Sequence, residues 1–339
     1  MIASDREMER VDTIMESQKT GSTPSTLDSV LANRLRMKDL VLLCALDSCR
    51  NLHHAAEQIH MSQPSATKML QEIEHAFGMT LFERQPRGML PTDLGREVVI
   101  YATQTLAALK NFAQDLTVKK GGGYGFLVVG TIMAAAPDVV AHAILRLKAR
   151  HPLIHVQLLG ETSDQILPML EMGKLDLAVG RFSSPMQHND FDFEELKQEE
   201  LIFVARYGHP LSQRQALSLN DVSGSPWVLQ PLPNPTRLLL EKEFATRDIS
   251  TPTNIVECSS IFAILQLLQY GDSLALLPEP VVRDHLHGKL LCRLPLEIGG
   301  RLPGFGILTR RNTTLRLPAQ AFVDSLRSVV YDSQVKKHK

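Results

Sequence analysis

A proline inside an otherwise helical stretch restricts the fold of this chain more than any other feature. Residues 55–74 read AAEQIHMSQPSATKMLQEIE, and Pro64 lies well within them. A proline in a helix interior costs about 3 kcal/mol. Ser62 is a favoured N-cap, and a helix capped there places Pro64 in the first turn, where N–H groups have no intrahelical partner. The stretch is therefore predicted to be two helices joined by a turn.

The two predicted helices belong to a small three-helix core. The first runs from about 52 to 59 with Asn51 as its cap, and the turn is roughly 60–61. The second begins at the Ser62 cap and ends near Gly78, because glycine is common at helix C-termini. An earlier helix at 38–49 contributes leucines that complete the core.

The second helix of the pair has two distinct faces. An apolar stripe follows 4-3-4 spacing through Ala66, Leu70, Ile73 and Phe77. The opposite side is polar and carries a cation, with Pro64, Ser65, Thr67, Lys68, Gln71 and His75 on or beside it. Such a helix suits the major groove of DNA, where hydroxyl, amide and ammonium groups meet phosphates and base edges. The same geometry also occurs as a purely structural motif, so both interpretations fit the pattern.

The segment after this helix adds a second DNA-facing feature. The run LFERQPRGMLPT (81–92) places a Pro/Gly-rich turn between two short extended pieces. It is predicted to be a β-wing whose Arg84 and Arg87 reach the DNA backbone or minor groove. Bulk charge adds little, because residues 34–91 hold seven Lys/Arg against six Asp/Glu.

Residues 55–95 resemble the winged helix-turn-helix of LysR-type transcriptional regulators. The matching motifs are Ala55-Ala56, Ser62-Gln63-Pro64, Ile73-Glu74, Leu81-Phe82-Glu83-Arg84 and the Pro-Thr-x-x-Gly step at 91–95. The run PRGMLPT (86–92) is also similar to the subgroup that regulates genes for sugar-binding proteins. The resemblance implies a homodimer, pairing further to a tetramer, that binds double-stranded promoter DNA and works with RNA polymerase. The expected DNA contacts are Ser62, Gln63, Pro64, Ser65, Thr67, Lys68, Gln71, Arg84 and Arg87.

A long linker helix and a polar extension flank the predicted DNA-binding domain (34–91). Thr92 can cap a helix to about 117 within a linker at 92–120, with apolar positions three or four apart. This pattern fits a helix folded on its own domain and equally a dimer seam, and the family resemblance favours the seam. GGGYG (121–125) is expected to break the helix as a hinge. Residues 1–33 are polar and acidic, and are expected to be a disordered extension or the result of an early start in the reading frame.

The chain from Phe126 onward alternates apolar strands with helices. Strands are predicted at 126–130, 153–159, 175–180, 201–207, 226–230, 253–258 and 273–277, and a last helix at about 318–330. This alternation implies an α/β architecture with parallel-rich sheets. The LysR resemblance makes residues 121–330 a two-lobed effector domain of periplasmic-binding-protein type 2. It puts 126–180 and 281–330 in lobe one and 181–280 in lobe two, followed by a basic tail at 331–339.

Ligands of open α/β sheets lie at the carboxyl ends of strands, near helix N-termini. The segments that meet this condition contain Thr131, Met133, Ala134, Thr162, Ser163, Pro233, Asn234, Thr236, Ser259 and Ser260, which we predict to contact an effector. Each segment offers backbone N–H groups, and Arg237 follows just inside a helix, so a small anion or a polyol fits. These residues could equally be plain helix caps. By resemblance, Thr162 stands where the family often has an effector-contacting hydroxyl. Ala134 replaces a common Ser or Thr, which weakens an analogy to carboxylate effectors.

Other functional classes find less support in the sequence. The motifs G-x-S-x-G and H-E-x-x-H are absent, as is paired Cys/His spacing for a metal, so no catalytic residue, metal or cofactor is expected. His53, His54 and His60 lie near Cys44 and Cys49 but are expected to face solvent or DNA. No membrane-length apolar run or signal-peptide core occurs, which favours a cytoplasmic protein. The alternative is a solute-binding or enzymatic two-lobed protein whose helix-turn-helix is only structural.

Overall fold

A computed structural model of the chain describes residues 34–86, 88–182 and 185–337. The predicted extension at 1–33 and the wing residue Arg87 lie outside the described residues. The chain divides between Leu106 and Ala107 into two compact units. We describe each unit separately.

The first unit is a three-helix core with a two-stranded wing. Its elements are α1 (Met37–Cys49), α2 (Leu52–Gln58), α3 (Gln63–Phe77), β1 (Phe82–Gln85), β2 (Gly88–Pro91) and the first part of α4 (Asp93–Lys120). The strands β1 and β2 pair antiparallel, with Phe82 opposite Pro91 and Gln85 opposite Gly88. One buried cluster joins the helices and the wing, and includes Leu43, Leu46 and Leu70.

The predicted helix boundaries in this unit are confirmed by their caps. The Asn51 side chain accepts hydrogen bonds from the backbone N–H groups of His53 and His54, which begins α2. Ser62 accepts from Ser65 N at the start of α3, so Pro64 lies in the first turn. The helix α3 ends at Gly78, whose φ of 69° belongs to the left-handed region that glycine adopts without strain.

Helix α4 begins as predicted and ends three residues later than expected, at Lys120. The Thr92 hydroxyl accepts from Gly95 N at 2.9 Å and donates to Thr80 O at 3.1 Å. A Cβ built on Gly95 would lie 2.0 Å from Leu81 O. The Pro-Thr-x-x-Gly motif therefore lets the wing and the start of α4 approach each other closely.

The second unit contains, within its described residues, the last part of α4, ten strands and seven further α-helices. The strands are β3 (Gly125–Thr131), β4 (Ile154–Gly160), β5 (Leu177–Gly180), β6 (Phe191–Lys197), β7 (Leu201–Arg206), β8 (Trp227–Leu229), β9 (Ile255–Glu257), β10 (Ala275–Pro278), β11 (Leu291–Arg293) and β12 (Phe305–Arg310). The helices are α5 (Ala141–Arg150), preceded by a π-helical turn (Ala136–Val140), α6 (Ser163–Glu171), α7 (Leu219–Val222), α8 (Pro235–Thr246), α9 (Ile261–Tyr270), α10 (Glu279–His287) and α11 (Leu317–Lys337).

Two groups of strands define two lobes. In lobe one the order is β4-β3-β5-β12-β6; β3, β4 and β5 run parallel, and β12 is antiparallel to both of its neighbours. In lobe two β10-β7-β11 is antiparallel, whereas β8 and β9 are parallel. The predicted α/β class is confirmed, and antiparallel pairing is more extensive than the sequence indicated.

The predicted lobe boundaries need correction. Lobe two does not begin at 181, because β6 (191–197) pairs with β12 in the sheet of lobe one. Lobe one does not resume at 281, because α10 packs on β10 and β11, and β11 pairs with β7. The chain therefore crosses between the lobes at 198–200 and again at 299–304, because Leu294 and Leu296 still belong to the core of lobe two. The predicted tail from 331 is helical through Lys337, as part of α11.

The segment 121–125 breaks the helix as predicted and is tied to its surroundings by hydrogen bonds. Gly123 N donates to Val118 O at 2.9 Å, which folds the turn back on the end of α4. Asp115, in the last turns of α4, accepts from Phe126 N at 2.8 Å and from Arg316 Nη1 at 2.5 Å. Arg316 also donates to Asp176 at 2.6 Å, so the end of α4 is anchored to lobe one.

Candidate functional site

Helix α3 separates a buried face from an open one. Ala66, Leu70 and Ile73 of the predicted stripe are buried, and Phe77 packs partly buried against the same cluster. Burying an apolar side chain of this size contributes about 1.5–3 kcal/mol, so the stripe fixes the rotation of the helix about its axis. The opposite face is thereby left pointing away from the core of the first unit.

The predicted DNA-contacting residues of α3 lie together on this open face. Gln63, Pro64, Ser65, Lys68 and Gln71 are exposed, and Thr67 is half-buried beside them. The Lys68 side chain is 79% exposed, and its Nζ lies 3.9 Å from Glu72 Oε1. A pair this exposed is worth at most about 1 kcal/mol, so the ammonium group is available to a stronger anionic partner.

Three of the hydroxyls on this face already have local partners. Ser62 Oγ lies 2.8 Å from Ser65 Oγ and also accepts from Ser65 N at 3.4 Å. Thr67 Oγ1 donates to Gln63 O at 2.9 Å within the helix. The long side chains of Gln63, Lys68 and Gln71 therefore remain as the groups with the greatest reach from this surface.

The wing is attached to α3 through Glu74, whose role the sequence analysis did not identify. Glu74 Oε1 accepts from the backbone N–H groups of Leu81 at 2.8 Å and Phe82 at 3.2 Å. This contact gives the apolar-Glu motif at 73–74 a structural function, because it sets where β1 begins relative to α3. Arg84 is exposed on β1, as the wing prediction requires. Arg87 lies outside the described residues.

The second unit contains a cavity of about 600 Å³ between its two lobes. A volume of this size is typical of small-molecule sites. All of the predicted effector residues except Pro233 line the cavity: Thr131, Met133, Ala134, Thr162, Ser163, Asn234, Thr236, Ser259 and Ser260. The strand-end positions in the sequence therefore predicted the cleft correctly. Pro233 is the exception, because it is exposed and does not line the cavity.

A buried ion pair lies at this cleft and was missed in the sequence. Arg181 follows β5 and Glu199 lies in the first crossover between the lobes; Arg181 Nη2 donates to Glu199 Oε2. Their side chains are 5% and 3% exposed. Burial lowers the pKa of Arg181 to about 10, which leaves the guanidinium protonated at neutral pH. Strand-end position was the available signal, because Arg181 directly follows the predicted strand 175–180.

The helix starts at the cleft carry caps from the chain itself, so only part of their N–H groups is available, which corrects the expectation for α8 in particular. Thr162 and Gln165 form a capping box at α6. Asn234 Oδ1 accepts from Thr236 N at 2.9 Å and from Arg237 N at 3.4 Å. Ser260 Oγ accepts from Ala263 N at 3.4 Å. The plain capping interpretation of Thr162, Asn234 and Ser260 therefore holds alongside their position at the cavity.

Some of the remaining polar groups near the cleft have hydrogen-bond partners, and others have none. Arg237, expected near the ligand, instead donates to Glu241 at 2.6 Å and lies 3.7 Å from Glu257. Two buried atoms at the cavity, Arg181 Nη1 and Gln230 Oε1, have no hydrogen-bond partner among the described residues. Gln230 follows β8, so its strand-end position was again the signal available in the sequence.

An ion pair joins the lobes beside the cavity. Arg283 on α10 donates to both carboxylate oxygens of Asp138, at 2.7 and 3.0 Å. Asp138 lies in the π-helical turn, next to Ala136 and Pro137, which line the cavity. π-helical turns are frequent at functional sites.

Among the described residues, no group of three or more His, Cys, Asp or Glu side chains is arranged to hold a metal ion. None of the helices in the described part of the chain combines the length and hydropathy that a membrane span requires.

Family comparisons agree with both units. Residues 37–96 match the model for bacterial regulatory helix-turn-helix proteins of the lysR family, and residues 120–330 match the LysR substrate binding domain. The chain is 35% identical over 244 residues to the HTH-type transcriptional regulator GbpR of Azospirillum brasilense, covering 72% of this chain and 71% of the relative.

Solved structures show the same fold. CbnR, a LysR family transcriptional regulator, matches with a TM-score of 0.59 at 18% identity, covering 87% of this chain and 99% of CbnR. The effector binding domain of QuiR in complex with shikimate matches with a TM-score of 0.52 at 19% identity, covering 62% of this chain and 99% of that domain.

Proposed function

We propose that this chain, which belongs to the LysR family of DNA-binding transcriptional regulators, reads promoter DNA with the open face of α3 and is controlled by an effector in the inter-lobe cavity. The observation that carries the first part is the exposed polar face of α3. It combines the amide groups of Gln63 and Gln71 with the ammonium group of Lys68. Amides recognise base edges in the major groove, and ammonium groups bind phosphate or guanine.

The wing completes this reading surface. Arg84 on β1 contacts the DNA backbone or minor groove, and Arg87 is assigned the same role from the sequence alone. Neutralising phosphates in this way releases counterions, so binding weakens steeply as salt rises.

The protein acts as a homodimer that pairs to a tetramer. In the second unit α4 exposes Leu109, Phe112 and Leu116 at spacings of three and four residues, as a helical dimer seam requires. A second apolar surface lies on α9, where Phe262 and Tyr270 are exposed. Two separate self-association surfaces support an even number of protomers above two, bound at pseudo-palindromic half-sites.

Effector binding is coupled to the lobes through the walls of the cavity. Ala136 and Pro137 line it and belong to the π-helical turn that carries Asp138, the partner of Arg283 on the other lobe. An effector that binds one arrangement of the lobes more tightly shifts the population toward it. The changed arrangement alters dimer packing and the bend of bound DNA, and thereby the contact with RNA polymerase.

The regulator works in the cytoplasm without a cofactor or an enzymatic activity of its own. Support for this comes from the relatives, which are transcriptional regulators, and from the self-capped, ion-paired cleft. A two-lobed solute-binding protein or enzyme with a purely structural helix-turn-helix is the competing assignment. It leaves the exposed face of α3 without a role.

Protection mapping on DNA tests this function. Full-length protein is incubated with DNA from the region upstream of its own gene, and cleavage protection is measured with and without an excess of unrelated DNA. Two protected half-sites about one helical turn apart are expected, and Gln71→Ala should weaken that protection while sparing binding to unrelated DNA. Equal affinity for every DNA fragment, unaffected by Gln71→Ala, contradicts sequence-specific regulation.

A further inference from the structure

We infer that the effector is an uncharged, hydroxyl-bearing molecule and that the cleft disfavours carboxylates and phosphates. This inference rests on the proposed function, because it takes the inter-lobe cavity as the effector site. Three independent features of the cavity wall support it: its charge balance, the state of its helix N-termini, and its two unpartnered polar atoms.

The cavity wall has no uncompensated positive charge. Glu161, Arg181 and Glu199 are the charged side chains among the described residues that line it. Arg181 and Glu199 neutralise each other within a buried pair. Glu161 is exposed and forms no ion pair with another described residue, so the lining has an excess of negative charge. A carboxylate or phosphate would be repelled by Glu161 and would compete with Glu199 for the only cation in this lining.

The helix N-termini that could replace a cation are partly capped by the chain itself, and the start of α8 is capped most fully. At α8, Pro235 has no N–H, and the next two N–H groups donate to Asn234. At α6 the Gln165 side chain accepts from Thr162 N, and at α9 Ser260 Oγ accepts from Ala263 N. An anion gains most from a helix N-terminus when those groups point at it unpaired.

The unpartnered polar atoms favour a hydroxyl group. Arg181 Nη1 is a donor and Gln230 Oε1 is an acceptor, and both are buried at the cavity. A hydroxyl oxygen accepts from a guanidinium, and its hydrogen donates to an amide oxygen, so hydroxyl groups satisfy both atoms. A carboxylate only accepts, so it leaves Gln230 Oε1 without a donor, and a buried polar atom without a partner is unfavourable. The apolar side chains of Met133, Ile261 and Leu265 face the C–H groups of the same ligand.

Matched pairs of ligands that differ in charge test the inference. Calorimetry with the full-length protein compares aldoses with aldonates of equal carbon number, and methyl shikimate with shikimate. At least one neutral compound should bind, with an affinity tenfold or more above that of its carboxylate partner. Tighter binding by the carboxylates, or binding by none of the neutral compounds, overturns the inference. Specific promoter protection by the same preparation shows separately whether the proposed function stands.

Two substitutions probe the cause of the selectivity. Glu199→Gln leaves Arg181 as an uncompensated cation and should reverse the preference, raising carboxylate affinity at least tenfold. Because this pair is buried and its loss can prevent folding, Glu161→Gln provides a second variant on the exposed rim. It should raise carboxylate affinity about threefold with neutral ligands unchanged. Glu97→Gln on α4, which does not line the cavity, is the control and should change neither the carboxylate affinity nor the neutral-ligand affinity. Carboxylate affinity that rises in neither cleft variant contradicts the electrostatic explanation.

Discussion

Arg283 on α10 donates a hydrogen bond to each carboxylate oxygen of Asp138, and this bidentate pair links lobe two to lobe one. Arg283 is also bonded to Glu279, and Lys197 lies 3.6 Å from Asp138, so four charges form one network. Bidentate pairs are directional as well as attractive. The network therefore favours one arrangement of the lobes over others.

A double-mutant cycle on this pair should show coupling between the lobes. Asp138→Asn, Arg283→Gln and the double variant are compared by chemical denaturation of the full chain. A coupling free energy of about 0.5–1 kcal/mol is expected, modest because a third of the Arg283 side chain remains exposed to screening solvent. Burial opposes ionisation of Asp138, but Arg283 and Lys197 outweigh it and hold the pKa of Asp138 below its ordinary value.

The pH dependence of this coupling follows from the lowered pKa of Asp138. Because the folded-state pKa is depressed, the stabilisation is fully present above the ordinary value of 3.8 and is lost as pH falls through the lower folded-state pKa. Coupling that is absent at pH 7, or that survives protonation of Asp138, contradicts an ionic link between the lobes.

The contact between α3 and the wing should be sensitive to loss of the Glu74 carboxylate. Glu74→Ala leaves the N–H groups of Leu81 and Phe82 without their acceptor, at a cost of about 1–3 kcal/mol. Thermal denaturation measures the loss, and affinity for promoter DNA should fall with it. Glu74→Gln retains an acceptor oxygen at the same reach and is the matched control. If Glu74→Ala is as stable as both Glu74→Gln and the wild type, the Glu74 side chain does not hold the wing.

The parts of the fold that could be predicted from the sequence are those set by contacts between residues close in the chain. The caps Asn51, Ser62 and Thr92 act within three residues of sequence, so the boundaries of α2, α3 and the start of α4 followed directly. Strand β12 was not predicted, although it lies in the sheet of lobe one, because it pairs with β5 and β6, which precede it by more than 100 residues. Without β12, the chain crossings and therefore the lobe boundaries could not be assigned.

The effector site could likewise be predicted only in part. Strand-end position located the cavity and nine of its lining residues, yet it could not show whether a polar group was already satisfied. The partner of Arg181 is Glu199, in a crossover segment whose position depends on both sheets. Arg237 is similarly directed away by Glu241 and Glu257. Free and paired polar groups look identical in a sequence, and only the tertiary fold separates them.

Close approach at the wing should make Gly95 intolerant of a side chain. A Cβ there meets Leu81 O at 2.0 Å, so Gly95→Ala must displace either α4 or the wing. Destabilisation of about 1–3 kcal/mol is expected, typical of overpacking, and is measured by thermal denaturation. Gly160→Ala is the control, because a Cβ at Gly160 meets nothing within 4 Å. Equal melting temperatures for the two variants would show that the close approach of Gly95 to Leu81 does not exclude a side chain at position 95.

Self-association through α4 should depend on its exposed apolar side chains. Phe112 is 59% exposed, and Phe112→Glu places a charge in the proposed seam. The dimer dissociation constant should rise at least about 30-fold, as for loss of an interface hot spot, and light scattering over a dilution series measures it. Tyr207→Glu, at an exposed aromatic outside α4, should leave the mass unchanged. If the Phe112→Glu protein stays dimeric at every dilution, the dimer seam does not lie on this face of α4.

The salt dependence of promoter binding tests the role of α3 most directly. Affinity of full-length protein for its promoter fragment is measured from about 50 to 200 mM salt, for the wild type, Lys68→Ala, and Lys174→Ala as a control in the second unit. If Lys68 contacts a phosphate, Lys68→Ala binds more weakly and the slope of log affinity against log salt falls by about one, whereas Lys174→Ala matches the wild type. A Lys68→Ala protein with wild-type affinity and slope would mean that the open face of α3 does not meet the DNA.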